Sequence, residues 1–135
     1  MRHEEDIVYV IDPDEAVHDA LTTLLNSAGT RVLCYANAEA FLDSSVVHSA
    51  MRGCVLAEAD LPGMGSLALL KQLRARGVDL PVVVLTSTSN RDIANQVLKA
   101  GAAEVVEKPL VHGLLLDLLH CLTHGNDDVN AHKEF

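Results

Sequence analysis

The feature that most constrains this chain is an alternation. Five short apolar runs, at 7–11, 31–35, 54–57, 82–86 and 103–106, are separated by segments with helical periodicity. The first of these, 14–28, puts Val17, Ala20, Leu21, Leu24, Leu25 and Ala28 at helical spacing, and Gly29 then suits a C-terminal cap. Segments 66–76 and 91–100 stop before Gly77 and Gly101 in the same way; 38–42 predicts a shorter helix and 111–122 a last one. A strand that is apolar on both faces has no side to turn to water. Such strands, separated by helices, predict a parallel sheet covered on both faces through right-handed crossovers. The expected fold class is α/β, a doubly wound five-stranded parallel sheet.

The chain's 135 residues, 49% hydrophobic and 21% charged, fit one domain. A net charge of −9 argues against a nucleic-acid surface on this chain, because phosphate binding needs clustered Lys and Arg. No apolar signal region precedes Ile7, and no apolar run reaches the roughly 18 residues of a membrane span. The expectation is a cytoplasmic protein with no membrane contact. Cys34, Cys54 and Cys121 lie far apart and read as small core hydrophobes in a reducing compartment. After Leu122 the helical apolar period is lost. The expected organisation is one domain over 1–123, with a polar tail or the start of a linker over 124–135.

Doubly wound sheets bind ligands outside the carboxyl ends of their strands. The first strand here ends in Asp12, the third in Glu58 and the fourth in Thr86, while the fifth runs through Glu107 into Lys108-Pro109. Two acids, a hydroxyl and an ammonium are expected to converge.

At these residues the chain resembles a response-regulator receiver domain of two-component signalling, most closely its FixJ-like branch. The resemblance rests on Val10-Ile11-Asp12-Pro13-Asp14-Glu15-Ala16-Val17, Leu61-Pro62-Gly63-Met64, Leu80-Pro81-Val82-Val83-Val84-Leu85-Thr86, Lys99-Ala100-Gly101-Ala102 and Glu107-Lys108-Pro109, in order and at family spacing. It implies a flavodoxin-like sheet of order 2-1-3-4-5, an aspartyl phosphate at the end of strand three, and Mg²⁺ held by an acidic pair after strand one. It further implies a Ser or Thr and a Lys gripping the phosphoryl oxygens, a histidine kinase or other regulatory protein as partner, and dimerisation through helix four, strand five and helix five. Relatives of this kind usually continue into a helix-turn-helix DNA-binding domain.

Three working positions depart from that pattern. Glu58 stands where the acceptor aspartate is expected; its extra methylene moves the carboxylate by about 1 Å, a misplacement that can cost on the order of a hundredfold in rate. Pro13 replaces the second acid of the metal pair, and Mg²⁺ demands near-ideal octahedral oxygen geometry. Asp12 alone would hold the ion weakly, so no cofactor is required. Val105 stands where the family has a Tyr or Phe that turns inward on activation. Thr86 and Lys108 remain, and the longer carboxylate of Glu58 can reach toward Lys108 and form a fixed salt bridge in the phosphoryl space. The alternative is a tolerated replacement in a domain kept for packing or dimerisation.

Other acids and histidines have local explanations. Asp60 lies two residues from Glu58 and would point the same way if the strand alternation persisted, but it is out of register with the family motif, which sets the acid four residues before Pro62. Asp14 and Glu15 suit the cap and dipole of the first helix. His120 and His124, four apart with Cys121 nearby, lack a third well-placed ligand, and the two histidines read as polar positions near a chain end. The leucines of 111–122 form a stripe wider than one sheet face requires, which marks Leu114 and Leu118 as candidates for a homodimer interface; burial within one monomer is the competing reading.

The leading expectation is therefore an atypical receiver that signals through protein contacts or dimerisation without normal Asp phosphorylation, in transcriptional control, and is not an enzyme. A working phosphoacceptor using Glu58 or Asp60 is the first alternative. A small Mg²⁺-dependent phosphatase is the second, and it lacks a Cys/His nucleophile pair, a Gly-rich phosphate loop or a complete metal cage in the sequence.

Overall fold

The computed structural model describes residues 7–44, 52–61, 63–86 and 91–107. Along the chain run β1 (Ile7–Ile11), α1 (Glu15–Ser27), β2 (Arg31–Tyr35), α2 (Ala38–Asp43), β3 (Gly53–Glu58), α3 (Ser66–Ala75), β4 (Val82–Thr86), α4 (Arg91–Lys99) and β5 (Glu104–Glu107). All strand pairings are parallel and the sheet order is β2-β1-β3-β4-β5, as the resemblance implies. The third strand extends one residue further at each end than expected, and the fifth lies one residue later. That later start is a matter of boundary, since Ala103 still donates to the Val82 carbonyl at 2.8 Å. The expected helix at 111–122, the boundary at 123, and Lys108, Leu114, Leu118, His120, Cys121 and His124 lie outside the described residues.

The pleat explains why the inner strands β1, β3 and β4 are apolar on both faces. Val8, Val10, Cys54, Leu56, Val83 and Leu85 face Leu21 and Leu25 of α1. The alternate residues Tyr9, Ile11, Val55, Ala57, Val82 and Val84 face α2, α3 and α4. Each fully buried side chain of this size contributes about 1.5–3 kcal/mol. A one-residue slip would exchange the two faces of a strand, so this double core fixes the register that sets the strand ends side by side. Under α2, Phe41 packs against Tyr9 (5.5 Å between ring centroids) and Tyr35 (5.2 Å), tilted and edge-on.

Three helices end alike. After α1, Thr30 N–H reaches the Leu25 carbonyl (2.9 Å) and Gly29 N–H that of Asn26 (2.9 Å); α3 and α4 repeat the pattern with Gly77 and Gly101. These paired bonds need a left-handed residue, which the glycines supply at φ 83, 77 and 112. Gly53 answers a different demand. It sits at φ 115 where β3 meets β1, and a Cβ there would collide with the backbone carbonyl of Ile7.

Two arginines tie the helices of one layer together. Arg76 donates from Nη1 to the Leu42 carbonyl at the end of α2 (3.1 Å), and Arg74 donates to the carbonyls of Val78 (2.8 Å) and Gly101 (3.2 Å). The cysteine expectation holds in part. Cys54 is fully buried, but Cys34 lies half-buried on the edge strand β2 with its Sγ 3.5 Å from Thr22 Oγ1, because an edge strand lacks a neighbour on one side.

Candidate functional site

The register builds the site. Ile11 pairs with Ala57, so Asp12 and Glu58 leave the sheet on adjacent strands, which lie about 4.8 Å apart. Glu58 pairs in turn with Leu85, and Thr86 follows it at the end of β4. Asp12 is 2% exposed, Glu58 8% and Thr86 7%. Polar groups withdrawn this far from water must be engaged by hydrogen bonds to be tolerated. The register thus sets Asp12, Glu58 and Thr86 at the carboxyl ends of the neighbouring strands β1, β3 and β4, while Lys108 lies outside the described residues.

Asp12 is held from several sides. Its N–H donates to the Tyr35 carbonyl (3.0 Å), its own carbonyl accepts from His18 Nε2 (2.6 Å), and its Oδ1 accepts from Asp14 N–H (2.8 Å). A carbonyl can only accept, so the His18 ring carries a proton on Nε2. Asp14 then repeats the motif as the N-cap of α1, accepting from Ala16 N–H at 2.9 Å. The result is two overlapping Asx turns, with Pro13 inside the first, where its fixed φ preorganises the bend. Asp14 and Glu15 thereby serve the start of α1.

Glu58 is engaged by its own loop. Its Oε2 accepts from Asp60 N–H at 3.3 Å, the same two-residue reach that Asp12 makes to Asp14. Asp60 itself is exposed and lies beyond the end of β3. Further on, Ser66 Oγ, 3% exposed, donates to the Ala59 carbonyl (3.2 Å), and Glu39 Oε2 accepts from Met64 N–H (3.0 Å). Val105 is half-buried opposite Val84 and packs on the face that carries α2, α3 and α4.

For an octahedral Mg²⁺ of the kind the resemblance implies, this donor set is poor. Position 13 offers no side-chain oxygen, and one Asp12 oxygen already accepts a backbone N–H. Among the described residues, no three His, Cys, Asp or Glu side chains converge as a metal centre.

Sequence reasoning missed three participants. Ser66 follows a glycine and reads only as a helix start; His18 reads as one more polar position of α1. Glu39 reads as a first-turn acid of α2. Their partners lie seven, six and 25 residues away, so no local pattern reveals them.

The sequence matches the response regulator receiver domain family over residues 8–120. The transcriptional regulatory protein FixJ of Azorhizobium caulinodans is 42% identical over 102 residues, which are 76% of this chain and 47% of that protein. FixJ of Bradyrhizobium diazoefficiens is 36% identical over 102 residues, with 76% and 49% covered. The crystal structure of full-length FixJ from B. japonicum aligns with a TM-score of 0.77 at 33% identity, covering 85% of this chain and 56% of that one. The chain spans about half the length of the curated relatives it matches.

Proposed function

We propose that this chain, which belongs to the response regulator receiver domain family, is an atypical receiver that signals through protein contacts without the usual aspartyl phosphorylation. The observation that carries the reading is Glu58, a buried residue one methylene longer than the expected acceptor, whose Oε2 accepts the N–H of Asp60. Pro13 in place of the second acid and the engagement of Asp12 Oδ1 by Asp14 support weak Mg²⁺ binding at most. Thr86 and Lys108 are retained, and a pairing of Glu58 with Lys108 would fill the phosphoryl space permanently. Removing one partner of such a buried pair would cost about 3–5 kcal/mol.

The output on this reading is assembly in the cytoplasm. A homodimer would form through α4, β5 and the segment carrying Leu114 and Leu118; Leu98, 45% exposed, gives α4 some apolar surface. A valine at position 105 has less volume to relocate than an aromatic ring, so this face would depend less on an in-to-out movement. Two relatives carry the name of transcriptional regulators, which favours a role in transcription. With a net charge of −9, DNA contact would fall to another domain or a partner. A histidine kinase or another regulatory protein is the expected upstream contact.

Incubation with a small phosphodonor and Mg²⁺ tests the reading by intact mass. Little acyl phosphate is expected. A stoichiometric gain of one phosphate, mapped to Glu58 or Asp60, would establish a working acceptor instead. Sedimentation of untreated protein across micromolar concentrations should show a reversible dimer, weakened by a charged substitution at whichever of Leu114 or Leu118 is exposed. A strictly monomeric profile overturns the dimer.

A further inference from the structure

We infer that Glu39 is a positioning residue that holds the loop between β3 and α3, and through it the contact between Asp60 and Glu58, in one conformation. The bond from Met64 N–H to Glu39 Oε2 is 3.0 Å long and joins residues 25 apart in sequence. A carboxylate makes a stronger acceptor than a neutral oxygen, although exposure of Glu39 lets water compete. The contact is fitted to its surroundings. Gly63 sits at φ 73, and a Cβ there would stand 2.7 Å from the same Oε2, so any side chain at 63 would push the carboxylate away.

The helix that presents Glu39 is rigidly seated. Ala38, Phe41 and Leu42 of α2 are buried in the core, and Phe41 is wedged between Tyr9 and Tyr35. The loop it grips is tied at two other points: Asp60 N–H to Glu58, and Ser66 Oγ to the Ala59 carbonyl. These ties come from three different elements, β3, α3 and α2, and converge on one short loop. Glu39 holds the middle, which neither of the others reaches. Releasing it gives the Met64 N–H to water and lets the loop drift, and the weak 3.3 Å bond between Asp60 and Glu58 is the first contact that drift disturbs. The inference is independent of whether position 58 accepts a phosphoryl group, so its failure and that of the proposed function are separate outcomes.

Amide exchange and ¹H–¹⁵N spectra of the full chain test it. Glu39→Ala is expected to speed exchange of the Met64 amide about tenfold, the scale of one lost hydrogen bond, and to shift the Asp60 amide resonance while the β1, β3 and β4 amides keep their protection. Glu39→Gln, whose amide oxygen still accepts, should restore most of both signals. Gly63→Ala, with Glu39 intact, should reproduce the Met64 change. An unmoved Met64 amide in either Glu39→Ala or Gly63→Ala, an unmoved Asp60 resonance, or a uniform rise across the sheet amides would each overturn the positioning role.

Discussion

Across Pro13, the backbone N–H of Asp14 lies 2.8 Å from Oδ1 of Asp12. An oxygen that the resemblance would assign to a metal thus organises the bend into α1, and the proline that removed its companion acid also stiffens that bend. Restoring one acid without the acceptor is expected to achieve little. Pro13→Asp combined with Glu58→Asp should restore Mg²⁺ affinity and binding of a phosphoryl-mimicking fluoride beyond the sum of the single changes, with a coupling of about 1 kcal/mol or more in titrations. Simple additivity would mean the two positions do not share a site.

Gly53→Ala should destabilise the fold by at least ~2 kcal/mol. The substitution meets both an unfavourable positive φ, costing about 1–2 kcal/mol by itself, and the Ile7 backbone. A urea midpoint lowered at constant slope is the expected result; an unchanged midpoint would show that β1 and β3 can separate there at no cost.

Tyr9 sets an alkaline limit. Burial first, then the neighbouring Tyr35, raises its hydroxyl above the ordinary value of 10.0, with Arg31 acting in the opposite direction. The unfolded chain therefore gives up this proton at lower pH than the folded one. Tyr9's contribution is intact below about pH 10 and is lost as pH rises through the folded value. Unfolding free energies measured from pH 8 to 11 should fall less steeply for Tyr9→Phe, and parallel curves would exclude Tyr9 as the cause.

Arg74→Met should cost about 1–2 kcal/mol, because two carbonyls, those of Val78 and Gly101, lose a charged donor together. Lysine is not expected to rescue it, since one ammonium cannot reproduce the guanidinium fork. Denaturation of the three proteins decides the point; equal midpoints for Arg and Lys would assign the contribution to charge alone.

Strand boundaries were legible where side chains carry the signal. The β-branched runs of β1 and β4 announce themselves, and helix ends are marked by Gly29, Gly77 and Gly101. Gly53 sat outside the expected third strand because glycine locally signals a break, whereas here it admits a close neighbour. Cys34 looked like core because nothing in its own strand says that β2 is an edge. The same limit governs the site. Asp12, Glu58 and Thr86 were readable as strand ends, but Ser66, His18 and Glu39 take their roles from backbone brought near only by the fold. Lys108 and the leucines after it are known from the sequence pattern alone.

The strand order has a consequence for how the chain is made. Once β1 is formed, β2 and then β3 settle on its two sides, and β4 and β5 each add to the outer edge left by the strand before. No strand has to be inserted between two already paired. During synthesis, which delivers the chain from its N-terminal side, the sheet can therefore grow in the order in which it emerges, with the bare edge of β3 as the point of exposure until β4 arrives. The backbone that sets Asp12 beside Glu58 is complete at that stage, before Thr86 has been added.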